Sequence, residues 1–383
     1  MNQAIEKEVF RTGTLSVRYD QTLEEFYLLR VYANGIIHDF SHIVSQVLEM
    51  MKAADQEELS IPIPGFNIKG IMSMVQKQLD AFTQTMPRET SYQEIQAQFD
   101  EKVSWKEKEF TTFEQKLAES NSEEEQLARR QQFNDALEME INKIIQAGKS
   151  SKQFLDKLSN ELKSPLMNYL KFAENPSSFP IPIPAFTMPE DITRAAKRLI
   201  VLLNDYEFYK QLHDKSFNIL QGSINPDDVL NKLIEHYTTL SYDQGFDLYF
   251  KIDANLPAKL QMNEKGFDLL IRFMLDNAMN IINLTHYSQD EPASKITLIV
   301  QLEEQVNWRS QWMIATEDNS LGFPSEKIKD VFSFFSYYSE KDPFAALKFK
   351  MMEKLIDEAG GKLKLEKAEG KSRFKVQLGI NLA

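Results

Sequence analysis

Hydrophobic positions along this chain keep a helical period through the first half and switch to a mixed one in the second. Ile36, Phe40, Ile43, Val47 and Met51 recur at three- and four-residue steps, flanked by Val44 and Leu48. That is the spacing of one helix face. At about 100° per residue, His38 and His42 fall on the opposite face. Phe99, Val103, Phe110, Phe113 and Leu117 keep the same rhythm, interrupted by Lys106. The string "ESNSEEE" (119–125) then predicts a break and a new helix start, with Asn121 or Ser122 capping and glutamates in the first turn. Leu137, Ile141, Ile144, Gly148, Ser151, Leu155, Leu158 and Leu162 follow at 4-3-4-3-4-3-4 spacing. This predicts a coiled-coil-like helix with a weak centre at Gly148. Leu166 and Tyr169 extend the stripe and leave Asn160 pointing away from it.

From about residue 217 the period changes. "FNILQGSINPDDVLNKLIEHYTTL" predicts a short strand, a turn at Asn225-Pro226 and an amphipathic helix. "FDLYFKID" alternates with period two, as a strand does, and an extended segment follows. "EKGFDLLIRFMLDNAMNII" is a strongly amphipathic helix, "KITLIVQLEEQ" and "QWMIATED" read as strands, and "GGKLKLEKAEGKSRFKVQLGI" reads as a closing hairpin.

Two strings recur in the helical half. "IPIPGF" begins at Ile61 and "IPIPAF" at Ile181, 120 residues apart. Proline removes an N–H and fixes φ, so neither string continues a helix; each reads as the bend of a helical hairpin. His38 lies 23 residues before its bend and Asn160 lies 21 before its own, so His38-Asp39-Phe40 aligns with Asn160-Glu161-Leu162. The chain therefore divides into a first hairpin (1–87), a charged helical insertion with coiled-coil character (88–150), a second hairpin (151–215) and an α/β domain (216–383).

Composition narrows the classes. With 383 residues, 42% hydrophobic and 26% charged, the chain can build two or three ordinary cores. A net charge of −13 argues against a nucleic-acid partner. The absence of cysteine removes disulfides, thiolate chemistry and Cys-ligated metals. His38 and His42 are spaced i, i+4, but no third metal ligand accompanies them. No apolar run approaches the ~18 residues that span a bilayer, and no secretory leader is visible at the N-terminus. The expectation is a cytoplasmic protein without a membrane span.

"LSNELKSPLMNYL" (158–170) resembles the phosphoacceptor helix of sensor histidine kinases, which reads roughly S-H-E-L-R-T-P-L. Ser159, Glu161, Leu162, Lys163, Ser164, Pro165 and Leu166 match, and Asn160 stands where the histidine belongs. The order of elements over about 217–382 resembles the Bergerat-type ATPase domain of the same family. "FMLDNAMN" resembles its N-L-L-x-N-A, which implies Asn277 as the amide that ligates Mg²⁺ between nucleotide phosphates. "EDNSLGFP" resembles D-N-G-x-G-I-P, which implies Asp318 as the acceptor for the adenine amino group and retains Gly322, with Ser320 replacing the first glycine. Phe332 and Phe335 match the family's phenylalanine-bearing segment. The last glycine box is missing: Phe344, Ala345 and Ala346 stand in its place, after Pro343. Glycines there allow positive φ and let bare backbone N–H groups approach phosphate. A side chain forced left-handed costs about 1–2 kcal/mol, so either triphosphate affinity falls steeply or the loop takes another shape.

The fold expected is α+β and multidomain: N-terminal helical hairpins of four-helix-bundle type with a coiled-coil segment, then an α/β sandwich of Bergerat ATPase type. Two hairpins in one chain could form the bundle as a monomeric pseudo-dimer, with a homodimer as the alternative. Three functions follow from the resemblance. The first is a degenerate, non-catalytic regulator or interaction module of a two-component pathway, with ATP/Mg²⁺ weak or absent. The second is a phosphotransfer protein that exchanges a phosphoryl group between His38 and a response-regulator receiver domain. The third is an active autokinase with Asp318 and Asn277 holding ATP and Asp39 serving His38 as base.

Overall fold

Two helices of 52 residues each, α1 (Asn2–Ala53) and α3 (Glu123–Glu174), dominate the N-terminal unit of the computed structural model. The structure describes residues 2–53, 92–174, 190–285, 294–319, 344–368 and 371–382. Both IPIP strings, and the second arm of the first hairpin, lie outside them. The chain divides into units 1–207 and 208–383.

In the first unit α2 (Tyr92–Ala118) and α4 (Glu190–His213) complete the described helices. Cross-helix contacts fix their directions. Asn134 donates to the Glu8 carboxylate at 2.8 Å, and Arg11 pairs with Asp135 at 3.1 Å and Glu138 at 2.9 Å. Further along, Phe26 lies against Gly148. Both numbers rise together, so α1 and α3 run parallel, offset by 126, 124 and 127 residues at the three polar contacts. The α2 helix runs the other way: the Tyr27 hydroxyl donates to Gln96 at 2.6 Å, and the Tyr19 hydroxyl donates to the Lys102 carbonyl at 2.9 Å. α4 is also antiparallel to α1, with Tyr32 bonded to the Leu202 carbonyl at 2.6 Å and Asp39 paired with Arg198.

The heptad stripe is the seam of the parallel pair. Leu137, Ile141, Ile144, Ser151, Leu155 and Leu158 are all buried, and Leu15, Tyr19, Leu23, Tyr27 and Val31 are among the buried side chains of α1. Three of the buried residues on α1 are tyrosines, and each hydroxyl has found a carbonyl or amide acceptor, which is what makes their burial affordable. Gly148 is a close contact, not a weak centre: a Cβ there would stand 3.2 Å from Phe26 Cδ2. At the break before α3, the Ser122 carbonyl accepts the first helical bond from Gln126, the Ser120 hydroxyl donates to the Ser122 carbonyl and the Glu125 carboxylate, and the Gln126 side chain donates to the Ser120 carbonyl.

The second unit is a five-stranded sheet backed by helices. Its elements are α5 (Pro226–Gln244), β1 (Asp247–Ile252), α6 (Glu264–Thr285), β2 (Lys295–Val306), β3 (Arg309–Asp318), α7 (Ala345–Glu358), β4 (Lys362–Ala368) and β5 (Lys371–Asn381). Strand order is β1-β2-β3-β5-β4, with β1 parallel to β2 and the rest antiparallel. Ile296, Leu298, Val300, Trp312, Ile314, Phe374, Val376 and Leu378 alternate inward and are fully or almost fully buried. Phe267 of α6 meets Trp312 edge-on and Phe349 of α7 meets Phe374, so these helices cover that face. Asn225 and Pro226 open α5 as expected: the Asn225 side chain accepts from the Asp227 amide at 3.1 Å, and Pro226 occupies the first turn.

The short strand expected at the start of this unit does not form. Residues 217–223 turn, with Gly222 at φ +115, and Ile224 makes a single isolated bridge to Leu260. The cause is local: the Asn218 side chain accepts from the Leu220 amide at 2.9 Å, and its carbonyl accepts from Gln221, consuming donors that a ladder would need.

Candidate functional site

His38 stands exposed on α1, just beyond the buried segment that ends at Ile36. The next residue, Asp39, is half-buried and turned toward α4, where its Oδ2 lies 2.9 Å from Nε of Arg198. Two turns back along α1 and one turn on along α4, Tyr32 binds the Leu202 carbonyl. The acid beside the histidine is thus held by a guanidinium 159 positions later in the chain. His42 and the side chain of Phe40 lie outside the described side chains.

Asn160 is exposed on α3. His38 and Asn160 are separated by 122 residues, the same offset as at the Phe26–Gly148 contact earlier in the two helices. Their surroundings differ. Beside Asn160, the buried Ser159 donates to Glu207 of α4 at 2.7 Å, and Lys163 is bonded to the other oxygen of that carboxylate. Tyr206 donates to Asp156 at 3.1 Å. The second site is tied internally by an acid from α4; the first is met by a cation from it.

In the sheet unit, Asp318 is buried at the end of β3, 2% exposed, with its backbone opposite Ile296 and Ser372. Phe267 meets Trp312 and Thr316 bonds the Met274 carbonyl at 3.5 Å, so α6 and β3 run alongside in the same direction. Thr316 and Asp318 project to the same face of the strand, and Asn277 is one turn beyond Met274. Asp318 and half-buried Asn277 therefore sit at one level of the α6–β3 groove. The neighbouring Asp276 accepts from the Tyr237 hydroxyl at 2.6 Å. Burial, and then the Asp276 charge, push the Tyr237 proton affinity up, so the phenol stays a donor. Just past Asp318, Asn319 is clamped to β2, its side chain accepting from the Lys295 amide at 2.6 Å.

The start of α7 is of another kind. Phe344 is 3% exposed and right-handed (φ −92°, ψ −20°) at the start of α7, with no side-chain cap. Ala345 and Ala346 are already helical, and Ala346 is buried. None of the three carries the left-handed strain that the glycine losses could have imposed; among the described residues only Lys215 and Asn307 have positive φ without being glycine. The segment has been absorbed into the helix and core. Phe344, Ala345 and Ala346, helical or at the helix start, offer no bare-backbone cradle. Gly322, Ser320, Phe332, Phe335 and Pro343 lie outside the described residues.

Arg198, Glu207 and Tyr237 escaped sequence reasoning. Each is one charged or polar residue on an amphipathic helix, and nothing in its local spacing announces a partner so far along the chain.

No family model matches the sequence. Among curated proteins, the chain is similar to hybrid signal transduction histidine kinase B of Dictyostelium discoideum (22% identical over 234 residues, 60% of this chain and 11% of that protein). It is also similar to the autoinducer 2 sensor kinase/phosphatase LuxQ of Vibrio vulnificus (24% over 191 residues, 50% and 21%) and to the sensor protein GacS of Pseudomonas syringae pv. syringae (19% over 252 residues, 64% and 27%). The chain spans only 11–27% of the length of these relatives. Among solved structures it resembles full-length ShkA in complex with AMPPNP (TM-score 0.46, 16% identity, 60% of this chain and 46% of that one). Histidine kinase AdeS of Acinetobacter baumannii matches with TM-score 0.38 and 13% identity, over 56% of this chain and 94% of that one. A helical unit followed by a mixed five-stranded unit defines an α+β fold. The curated relatives of the chain are sensor histidine kinases. No helix among the described residues is long and apolar enough to cross a membrane.

Proposed function

We propose that this chain is a histidine-kinase-like protein that acts as a regulator or interaction module of a two-component pathway and binds ATP/Mg²⁺ weakly or not at all. The observation that carries this is the buried, right-handed Phe344 at the start of α7, where a phosphate cradle needs glycine. Asp318 and Asn277 are remnants of the adenine and metal side. Calorimetric titration of ATP, with and without Mg²⁺, tests the proposal. Little or no heat at micromolar ATP is expected, and a tight Mg²⁺-dependent complex would promote the autokinase instead.

A second reading has its own observation: His38 is exposed and its neighbour Asp39 is held by an ion pair. On this reading His38 accepts a phosphoryl group from the aspartyl phosphate of a receiver domain. The neutral imidazole nitrogen attacks phosphorus, the P–O bond to the receiver breaks, and its carboxylate leaves. Incubation with a phosphorylated receiver should give an acid-labile, base-stable label that His38→Gln abolishes and Asn160→Ala retains. The pseudo-dimeric bundle is part of the proposal. It is supported by the parallel course of α1 and α3 at offsets close to the 120-residue interval between the IPIP strings. Light scattering should report a monomer of 44.4 kDa.

A further inference from the structure

We infer that Asn134 and Glu8 form a register lock in the parallel α1–α3 pair: a buried polar contact that selects one alignment of two helices whose apolar seam accepts others. Asn134 stands one heptad step before the stripe that begins at Leu137, so Asn134, Leu137, Ile141 and Ile144 follow at 3-4-3 spacing. It is 0% exposed. A single amide at such a seam position costs stability and specifies alignment. Its side-chain nitrogen donates to the Glu8 carboxylate at 2.8 Å and to the Glu8 carbonyl at 3.3 Å, while its side-chain oxygen has no recorded partner. Glu8 is itself 9% exposed, and the other recorded contact of its carboxylate, Arg11 at 3.5 Å, is long.

Apolar contacts alone choose an alignment poorly, because the stripe repeats. Leu127, Ile141 and Leu155 occupy the same heptad position as Asn134. Shifting α3 by one heptad in one direction sets Ile141 against Glu8 and carries Asn134 to the end of α1. Shifting it the other way sets Leu127 against Glu8 and Asn134 against Leu15. Either shift buries the Glu8 carboxylate in hydrocarbon without its amide donor, which is strongly unfavourable. Phe26 against Gly148 is a second, steric pin farther along the pair. The lock depends on no reading of His38 or of nucleotide. It fixes the relative placement of two exposed side chains, His38 on α1 and Asn160 on α3, and so the face that a partner of this helix pair meets.

The test is disulfide trapping in the full chain, which has no cysteine of its own and so gives no background. A Cβ placed at Gly148 lies 3.9 Å from that of Phe26, within disulfide reach. Phe26→Cys/Gly148→Cys therefore reports the observed alignment and also removes the steric pin. Phe26→Cys/Ile141→Cys and Phe26→Cys/Leu155→Cys report shifts of one heptad in either direction. With Asn134 and Glu8 present, the first pair should close at least about tenfold faster than either of the others. In an Asn134→Leu/Glu8→Leu background that preference should fall to about threefold or less, with a shifted pair trapped in quantity. An unchanged preference in that background overturns the inference, as does ready trapping of a shifted pair while Asn134 and Glu8 are intact. Far-ultraviolet circular dichroism shows whether the variants are folded; if the leucine pair does not fold, Asn134→Ala/Glu8→Ala is read in the same way.

Discussion

Phe344→Ala separates a side chain that fills core from one that merely replaces a glycine. Phe344 is 3% exposed, and it opens α7 without a side-chain cap or positive φ. Truncation removes the phenyl ring and leaves a cavity; buried Phe→Ala changes cost about 3–5 kcal/mol. No capping bond is lost, because none is recorded there, and alanine is a poor cap in any case. For a unit the size of 208–383, each kcal/mol moves the melting temperature by about 2–4 °C. A fall of roughly 6–20 °C is therefore expected in the calorimetric transition of that unit, identified by loss of amide-exchange protection in β3 and β5. Phe344→Leu, which refills most of the volume, should cost about 1.5 kcal/mol or less. Phe344→Gly should behave like the alanine variant, since the cavity outweighs the better cap. A melting temperature within about 2 °C of wild type in Phe344→Ala would refute the packing role. With folding secured at low temperature, Phe344→Gly combined with Ala346→Gly should strengthen ATP binding over wild type in the same calorimeter.

Two other measurements bear on what holds the units. Tyr237→Phe deletes a buried hydroxyl that donates to Asp276 at 2.6 Å, beside Asn277; with Asp276 half-exposed, a loss of about 1–2 kcal/mol in urea unfolding is expected, and no loss would mean that water replaces the bond. Glu140 is pushed up by burial but held lower overall by hydrogen bonds from Lys102 and Lys143. A depressed carboxyl contributes stability that is present above its unfolded pKa, near 4.5, and is lost as pH falls through the folded value. Glu140→Gln should therefore lower the melting temperature at pH 7 and flatten its decline below about pH 4.5; a parallel decline in both proteins would sink the assignment.

Much of this protein is legible from its sequence because helix and strand periods are local. The stripe from Leu137 to Leu158 is the observed seam, Asn225-Pro226 starts the helix it was expected to start, and strands form at 247–252, 295–306, 309–318 and 371–381, where strands were expected. Local signals failed where they were outweighed. The run at 217–223 carries strand-like residues, but Asn218 and Gly222 turn it. Gly148 reads as a weakness and proves to be the space that Phe26 occupies.

By itself, then, the sequence determined where helices and strands form, which faces are apolar, and that His38 and Asn160 point outward, since each depends on residues within a few turns. Only the tertiary structure decided that α1 and α3 run parallel, that Arg198 meets Asp39, that Glu207 meets Ser159 and Lys163 on either side of Asn160, and that Phe344 is core instead of strained loop. These are choices among partners that lie 44 to more than 150 residues apart. Packing makes them, by excluding water from one arrangement of helices, and no spacing along the chain encodes the winner.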